Sequence, residues 1–139
     1  MTKPDAWGRK PKKPRAVVVS EHGHQVAFVQ WVRAQYPRIS ELLIAIPNGG
    51  KRAMTTAKRL KAEGASAGFP DVFVFYPRRE FSGLAIEFKR SLGPRGGNAG
   101  SDTTPEQEAW LERLSTHGYC ARVAHGFDEA VLIFETYVK

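Results

Sequence analysis

Two short apolar runs, residues 72–76 and 84–88, restrict the fold of this chain more than any other feature of its sequence. Both runs are rich in aliphatic and aromatic residues, and the polar segment between them begins with Pro77 and ends with Gly83. Short apolar runs on either side of a segment bounded by Pro and Gly predict a β-hairpin. We therefore expect a sheet that is built around residues 68–90.

Three charged residues interrupt this hairpin. Asp71 opens the first strand, and Glu87 and Lys89 lie inside the second strand. Because successive side chains of a strand point to opposite faces, Glu87 and Lys89 share one face and are roughly 6–7 Å apart along the strand. Two carboxylates and one lysine are therefore expected at one corner of the hairpin.

This charged corner has two interpretations. Carboxylate oxygens suit Mg²⁺ and Mn²⁺, so a cation between Asp71 and Glu87 could activate a water molecule and shield the charge of a phosphodiester. Lys89 could then orient that water or stabilise the developing negative charge. The alternative is an ordinary hairpin edge with a Glu–Lys pair on its solvated face. The choice depends on the rest of the chain.

The positive charge is concentrated at the start of the chain. The net charge is +7, and residues 1–15 contribute +5 of it, from six Lys or Arg residues and one Asp. Residues 1–16 are also rich in Pro and poor in apolar residues, so we interpret them as a disordered arm before a single domain, residues 17–139. The arm could follow the phosphates of a nucleic acid in a salt-dependent manner, or it could only aid solubility.

Other features exclude several classes of protein. No apolar run approaches 18 residues, so no membrane-spanning helix is expected. The single Cys120 excludes an internal disulfide and fits a reducing compartment such as the cytoplasm. His22 and His24 are two residues apart, which does not place them on one helix face as a zinc pair.

Helix and strand signals precede the hairpin. Ser20 is placed to cap a helix that runs to about residue 35, and residues 42–46 read as a buried strand. A Gly-rich turn at residues 48–50, followed by two cations, is a plausible cradle for phosphate. A second helix is expected at about residues 53–63.

The segments after the hairpin complete an alternating pattern. Residues 91–101 are rich in Gly and predict a mobile loop beside the charged corner. Thr104 and Gln107 form a capping box at the start of the next helix, which gives Gln107 a structural role without any catalysis. A strand at residues 119–124 and a helix at residues 127–138 follow. The pattern predicts an α/β sandwich with a mixed sheet.

Together these segments resemble the virus-type replication–repair nuclease (VRR-NUC) domain, a branch of the PD-(D/E)xK nuclease superfamily. The resemblance covers about residues 19–137. The matching segments are Glu21 with Gln25, residues 46–52, Gly64 with residues 68–71, residues 86–90, and residues 104–107. The resemblance implies a restriction-endonuclease-like α/β/α sandwich with a central mixed β-sheet.

The resemblance also implies a function and a set of site residues. The family is similar to divalent-metal-dependent endonucleases that hydrolyse DNA with Mg²⁺ or Mn²⁺. Its pattern makes Asp71, Glu87 and Glu21 the metal-binding acids and Lys89 the catalytic lysine, and Gln107 matches a glutamine of the active site. The residues implied to contact DNA are Asn48, Gly49, Gly50, Lys51, Arg52 and Arg90.

The biological setting is likewise implied by the resemblance. Small viral members resemble dimeric Holliday-junction resolvases, which suggests a homodimer that acts in phage or viral replication, recombination or repair, within the cytoplasm of a bacterium or host cell. The sequence has no recognition-helix signature, so we expect selectivity for branched, flap or junction DNA rather than for a base sequence.

A second function class stays open at this point. The chain could be a DNA-binding module without nuclease activity that uses the basic arm, Lys51 and Arg52 for phosphate contacts. Glu87 argues against this alternative, because a purely electrostatic binder gains nothing from acids near phosphate unless a cation bridges them.

Overall fold

A computed structural model of the protein describes residues 19–47, 54–92 and 103–139. Its helices are α1 (Glu21–Gln35), α2 (Pro37–Ser40), α3 (Met54–Ala62), α4 (Pro105–Thr116) and α5 (Phe127–Val138). Its strands are β1 (Leu43–Ala45), β2 (Val72–Val74), β3 (Leu84–Lys89) and β4 (Cys120–His125). None of the helices in the described part of the chain is both long enough and apolar enough to cross a membrane.

The four strands form one mixed sheet in the order β1-β2-β3-β4. The predicted hairpin is present, since β2 and β3 pair antiparallel with Val72 opposite Ile86 and Val74 opposite Leu84. β1 pairs antiparallel with β2, and β4 pairs parallel with β3. The parallel pair follows from chain order, because α4 connects β3 to β4 as a crossover.

Alternation along the strands divides the core into two layers. On one face, Val72, Ile86 and Phe88 pack with Phe28 of α1 and Phe134 of α5. On the other face, Phe73 and Ala85 pack with Leu114 of α4. Helices therefore cover both faces of the sheet, and the predicted α/β/α sandwich is confirmed.

Most predicted element boundaries agree with the structure. Ser20 caps α1 by accepting a hydrogen bond from the backbone N–H of Gly23 at 3.0 Å. The capping box of Thr104 and Gln107 is present at the start of α4. The short helix α2, which begins at Pro37, was not predicted. Proline at the first helical position is also a helix start.

The strand predicted at residues 42–46 is present as β1, but the prediction that it is buried is wrong. β1 is an edge strand, and the side chain of Ile44 is 48% exposed. Among the described strands, β1 pairs with β2 alone, and apolar composition does not distinguish a central strand from an edge strand. The predicted arm, the turn at residues 48–50 and most of the predicted loop lie outside the described residues.

Candidate active site

The carboxylate of Asp71 is fixed at the start of β2 by the neighbouring strand. Its Oδ2 accepts a hydrogen bond from the backbone N–H of Phe88 at 2.8 Å. Phe88 lies between Glu87 and Lys89, so this bond holds Asp71 beside the charged part of β3. The pairing of β2 with β3 therefore assembles the corner that the sequence predicted.

Glu87 and Lys89 are buried, so the interpretation of a solvated Glu–Lys pair is wrong. Their relative exposures are 3% and 4%, and Lys89 Nζ lies 3.6 Å from Glu87 Oε1. The face they share with Ala85 is covered by α4 rather than by water. Burying two charges carries a desolvation cost that close pairing only partly offsets, so this arrangement is unusual for a purely structural strand.

Gln107 connects both buried charges to α4. Its Nε2 donates to Glu87 Oε1 at 2.7 Å, and its Oε1 accepts from Lys89 Nζ at 3.0 Å. The same Oε1 accepts from the backbone N–H of Thr104 at 2.9 Å in the capping box. The two donors that face Oε1 fix the orientation of the amide, since a flipped amide would oppose N–H to N–H. The capping role and the site role of Gln107 are thus compatible.

Gly68 allows the segment that leads to Asp71 to lie against the start of α4. Its φ is +84°, and a Cβ atom at this position would lie 2.5 Å from the carbonyl carbon of Glu106. Only glycine satisfies both conditions without strain. This close approach of backbones places Asp71 and Gln107 on the same side of the hairpin.

The electrostatics of the two carboxylates are those of a crowded anionic site. The pKa of Glu87 is raised to about 7, first by burial and then by the charge of Asp71, while Lys89 opposes the shift. Burial also raises the pKa of Asp71, against the lowering effects of the Phe88 N–H and of Lys89. Lys89 offsets these shifts only in part, so additional positive charge beside the two carboxylates would be favourable.

Glu21 acts on this pair from the first turn of α1. Its negative charge raises the pKa of both Asp71 and Glu87. Among the residues that the structure describes, however, no three His, Cys, Asp or Glu side chains are arranged as a metal-ligand group. The structure therefore brings Asp71, Glu87, Lys89 and Gln107 together, with Glu21 near enough to influence their charges.

The predicted DNA contacts are only partly described. Arg90 directly follows β3 and is exposed beside the buried pair. Asn48, Gly49, Gly50, Lys51 and Arg52 lie outside the described residues. These contacts remain predictions.

A histidine contact was missed by sequence reasoning. His24 Nδ1 accepts the backbone N–H of Phe127 at 3.0 Å, so the ring hydrogen lies on Nε2, which is 3.0 Å from Ser91 Oγ. The imidazole thereby ties α1 to the start of α5 and to the residues after β3. The partners are 103 and 67 residues away in sequence, so no local pattern could have indicated the contact.

A sheet flanked by helices, with a half-buried Asp beside a buried Glu and Lys in a hairpin, is the arrangement of PD-(D/E)xK-type nucleases. The sequence profile of the VRR-NUC domain matches residues 9–128. A solved structure of a VRR_NUC domain protein superposes with a TM-score of 0.73 and 28% sequence identity, over 88% of this chain and 91% of that chain. No curated protein matches the sequence.

The chain belongs to the VRR-NUC family, because the family profile covers most of its length. The resemblance drawn from the sequence motifs is thus confirmed, and with it a nuclease-type domain of the PD-(D/E)xK kind.

Proposed function

We propose that this protein is a divalent-metal-dependent endonuclease that hydrolyses phosphodiester bonds of branched, flap or junction DNA. The observation that carries the proposal is the buried contact of Glu87 with Lys89 and Gln107 beside Asp71. Polar networks of this kind, with raised carboxylate pKa values, are concentrated at functional sites. The family to which the chain belongs agrees with the proposal.

The residues present fit a hard divalent cation. Asp71 and Glu87 supply the carboxylate oxygens that Mg²⁺ or Mn²⁺ prefers, with Glu21 as a further acid that acts directly or through water. Burial is the first cause of their raised pKa values, and for Glu87 the charge of Asp71 is the second, so a cation between the two carboxylates would favour their ionised forms. When bound, the cation would supply Lewis acidity and positive charge beside the scissile phosphate.

The remaining chemistry is assigned to Lys89 and its support. An ammonium has three donor hydrogens, and the described contacts direct Lys89 Nζ toward Gln107 and Glu87. A further donor can orient the attacking water or stabilise the charge that develops on the phosphate. Gln107 acts as a positioning residue, because its amide holds Lys89 and Glu87 in fixed relation before substrate arrives.

A homodimer is part of the proposal, since two sites would then face two strands of a branched substrate. The support is the β1 edge of the sheet, which no other strand of the described residues pairs with and where Leu42, Ile44 and Phe75 are 40%, 48% and 56% exposed. Apolar edge strands of this kind are used for pairing between chains. A role in phage or viral replication, recombination or repair fits such an enzyme.

The test is cleavage of matched duplex, flap and four-way-junction DNA by the full chain, in Mg²⁺, in Mn²⁺ and in EDTA. We expect cutting of the branched substrates that needs the metal and stops in EDTA. Binding of DNA without cutting in every condition would instead support a DNA-binding module. Equal cutting of all three substrates would contradict the selectivity.

A further inference from the structure

A groove of about 1160 Å³ lies between α3 and α4, next to the site but separate from it. One wall is formed by α3, including Leu60 and Lys61, and the opposite wall by α4, including Trp110 and Arg113. Phe69 also lines it. The volume is large for a small domain and exceeds what one amino-acid side chain would fill.

The groove presents aromatic and cationic groups together. The Phe69 and Trp110 rings meet edge to face with centroids 5.0 Å apart, and the Arg113 guanidinium lies 4.9 Å from the Trp110 ring centroid. Trp110 Nε1 donates to Ser66 Oγ at 3.0 Å, so the polar end of the indole is already satisfied. Rings and guanidinium planes of this kind stack on unpaired nucleobases.

The charges of the groove favour a phosphate-bearing occupant. Of the described residues that line it, Lys61 and Arg113 are cationic and Glu106 is acidic. The apolar side of α3 is also incomplete, since the helix has no buried residue and Met54 is 77% exposed. A helix normally buries one apolar stripe, so something in addition to the described residues is expected to pack against α3.

The position of the groove relates it to the site. Three residues of α4 follow at intervals of three, namely Gln107, Trp110 and Arg113. Along the helix axis, Trp110 is therefore about 4.5 Å and Arg113 about 9 Å from Gln107. Phe69 is two residues before Asp71. With a rise of about 3.4 Å per nucleotide along a strand, Trp110 and Arg113 lie about one to three nucleotides along α4 from Gln107, which contacts Glu87.

We propose that this groove binds an unpaired nucleobase of the DNA substrate, held by Trp110 and Arg113 within about three nucleotides of the cut. The inference rests on the proposed nuclease function and explains why the enzyme would prefer branched DNA to plain duplex. A fully paired duplex has no base to place in the groove, whereas a flap or a junction does.

The test uses a short DNA duplex with a single-stranded arm that carries 2-aminopurine at the first, second or third unpaired position. Fluorescence is measured with the full chain carrying Lys89→Ala, so that the DNA stays intact. We expect quenching at one of the three positions and a loss of affinity for armed DNA of roughly five- to 150-fold in Trp110→Leu. Affinity for plain duplex should stay within about twofold.

Arg113→Ala is the second variant, because Arg113 is exposed and its removal does not threaten folding. We expect it to abolish the quenching and to weaken binding of armed DNA. Arg59→Ala is the matched control: Arg59 is an exposed cation on α3 that pairs with Glu63 and does not line the groove. If Arg59→Ala weakens the binding of armed DNA as much as Arg113→Ala does, the effect comes from general electrostatic attraction and the proposal is wrong.

The outcomes separate this inference from the proposed function. Metal-dependent cutting by the wild type without quenching at any position would agree with the proposed nuclease function and would show that the groove does not bind an unpaired base. If Arg113→Ala removes the quenching but the wild type cuts no DNA in any metal, the groove binds an unpaired base and the proposed nuclease function is wrong. If Trp110→Leu and Arg113→Ala instead dissociate a dimer and leave DNA binding unchanged, a second copy occupies the groove and the proposal fails.

Discussion

Gln107 illustrates how one side chain can serve both local structure and chemistry. Its amide oxygen completes the cap of α4 and receives Lys89, while its nitrogen donates to Glu87. The sequence showed the capping box, and the resemblance indicated a position near the site. Neither gave the pair of contacts, because those depend on how closely α4 approaches β3.

Replacing Gln107 by Leu tests this double role. The variant leaves Lys89 Nζ and Glu87 Oε1 without this buried partner and removes one half of the capping box, so we expect a loss of stability of about 1–3 kcal/mol and a large loss of cleavage. Thr104→Ala is the matched control, since it removes only the cap, at a cost of about 1 kcal/mol, and should retain cleavage. Urea unfolding and cleavage assays check both, and equal activity of the two variants would contradict the role given to Gln107.

Glu87 gives a second prediction, on pH. Its folded pKa of about 7 lies above the ordinary value of 4.5, so the folded state binds the proton more tightly than the unfolded state. Stability from this group is therefore full below pH 4.5 and is lost as pH rises through 7, by up to about 3 kcal/mol. The raised pKa of Asp71 has the same sign.

Glu87→Gln should not lose stability in this way as the pH rises, because a neutral amide does not titrate. We expect the variant to gain stability relative to the wild type between pH 5 and pH 8 when both are unfolded by urea in EDTA. Titrating groups that do not interact with Glu87 cancel in the difference, so the change with pH comes from Glu87 and from Asp71, whose charge acts on it. A difference in stability that does not change with pH would show that Glu87 has an ordinary pKa.

Among the elements, the contact between Gly68 and the start of α4 positions Asp71 relative to Gln107. Gly68→Ala adds a Cβ atom 2.5 Å from Glu106 and strains a φ of +84°. We expect destabilisation of about 1–3 kcal/mol and reduced cleavage, because Asp71 is displaced from β3. Thermal unfolding and cleavage are the measurements.

Gly118→Ala is the control for backbone strain alone. Gly118 also has a positive φ, +91°, but a Cβ atom there has nothing within 4 Å, and Gly118 does not line the groove. Its cost should therefore be smaller, and cleavage should be retained. If both alanine variants lose activity equally, the close approach at Gly68 does not position the site.

The elements show how far sequence reasoning reached. The alternation of Glu87 and Lys89 with apolar residues, the cap at Ser20 and the box at Thr104 each depend on neighbours along the chain, and each was predicted. The burial of Glu87 and Lys89, the exposure of Ile44 and the contact of His24 with Ser91 depend on which element covers which. Local patterns carry no information about such coverage.

At the scale of the whole molecule, the account predicts that a divalent cation stabilises the fold. A ligand that binds only the native state at a hundred times its Kd adds about 2.7 kcal/mol, so Mg²⁺ or Mn²⁺ should raise the Tm of the wild type. Asp71→Asn should abolish most of this gain, while Asp128→Asn, a change in the first turn of α5, should preserve it. An equal rise in both variants would indicate nonspecific ion binding.

The central claim is that the buried corner around Lys89 is the catalytic site of a nuclease. The most direct measurement is single-turnover cleavage of the preferred DNA in Mg²⁺ by Lys89→Ala and by Lys58→Ala, which removes an exposed lysine of α3, with DNA binding measured in parallel. We expect Lys89→Ala to lose cleavage by at least about 100-fold while still binding DNA, and Lys58→Ala to cut like the wild type. Cleavage retained by Lys89→Ala would show that Lys89 is not a catalytic residue.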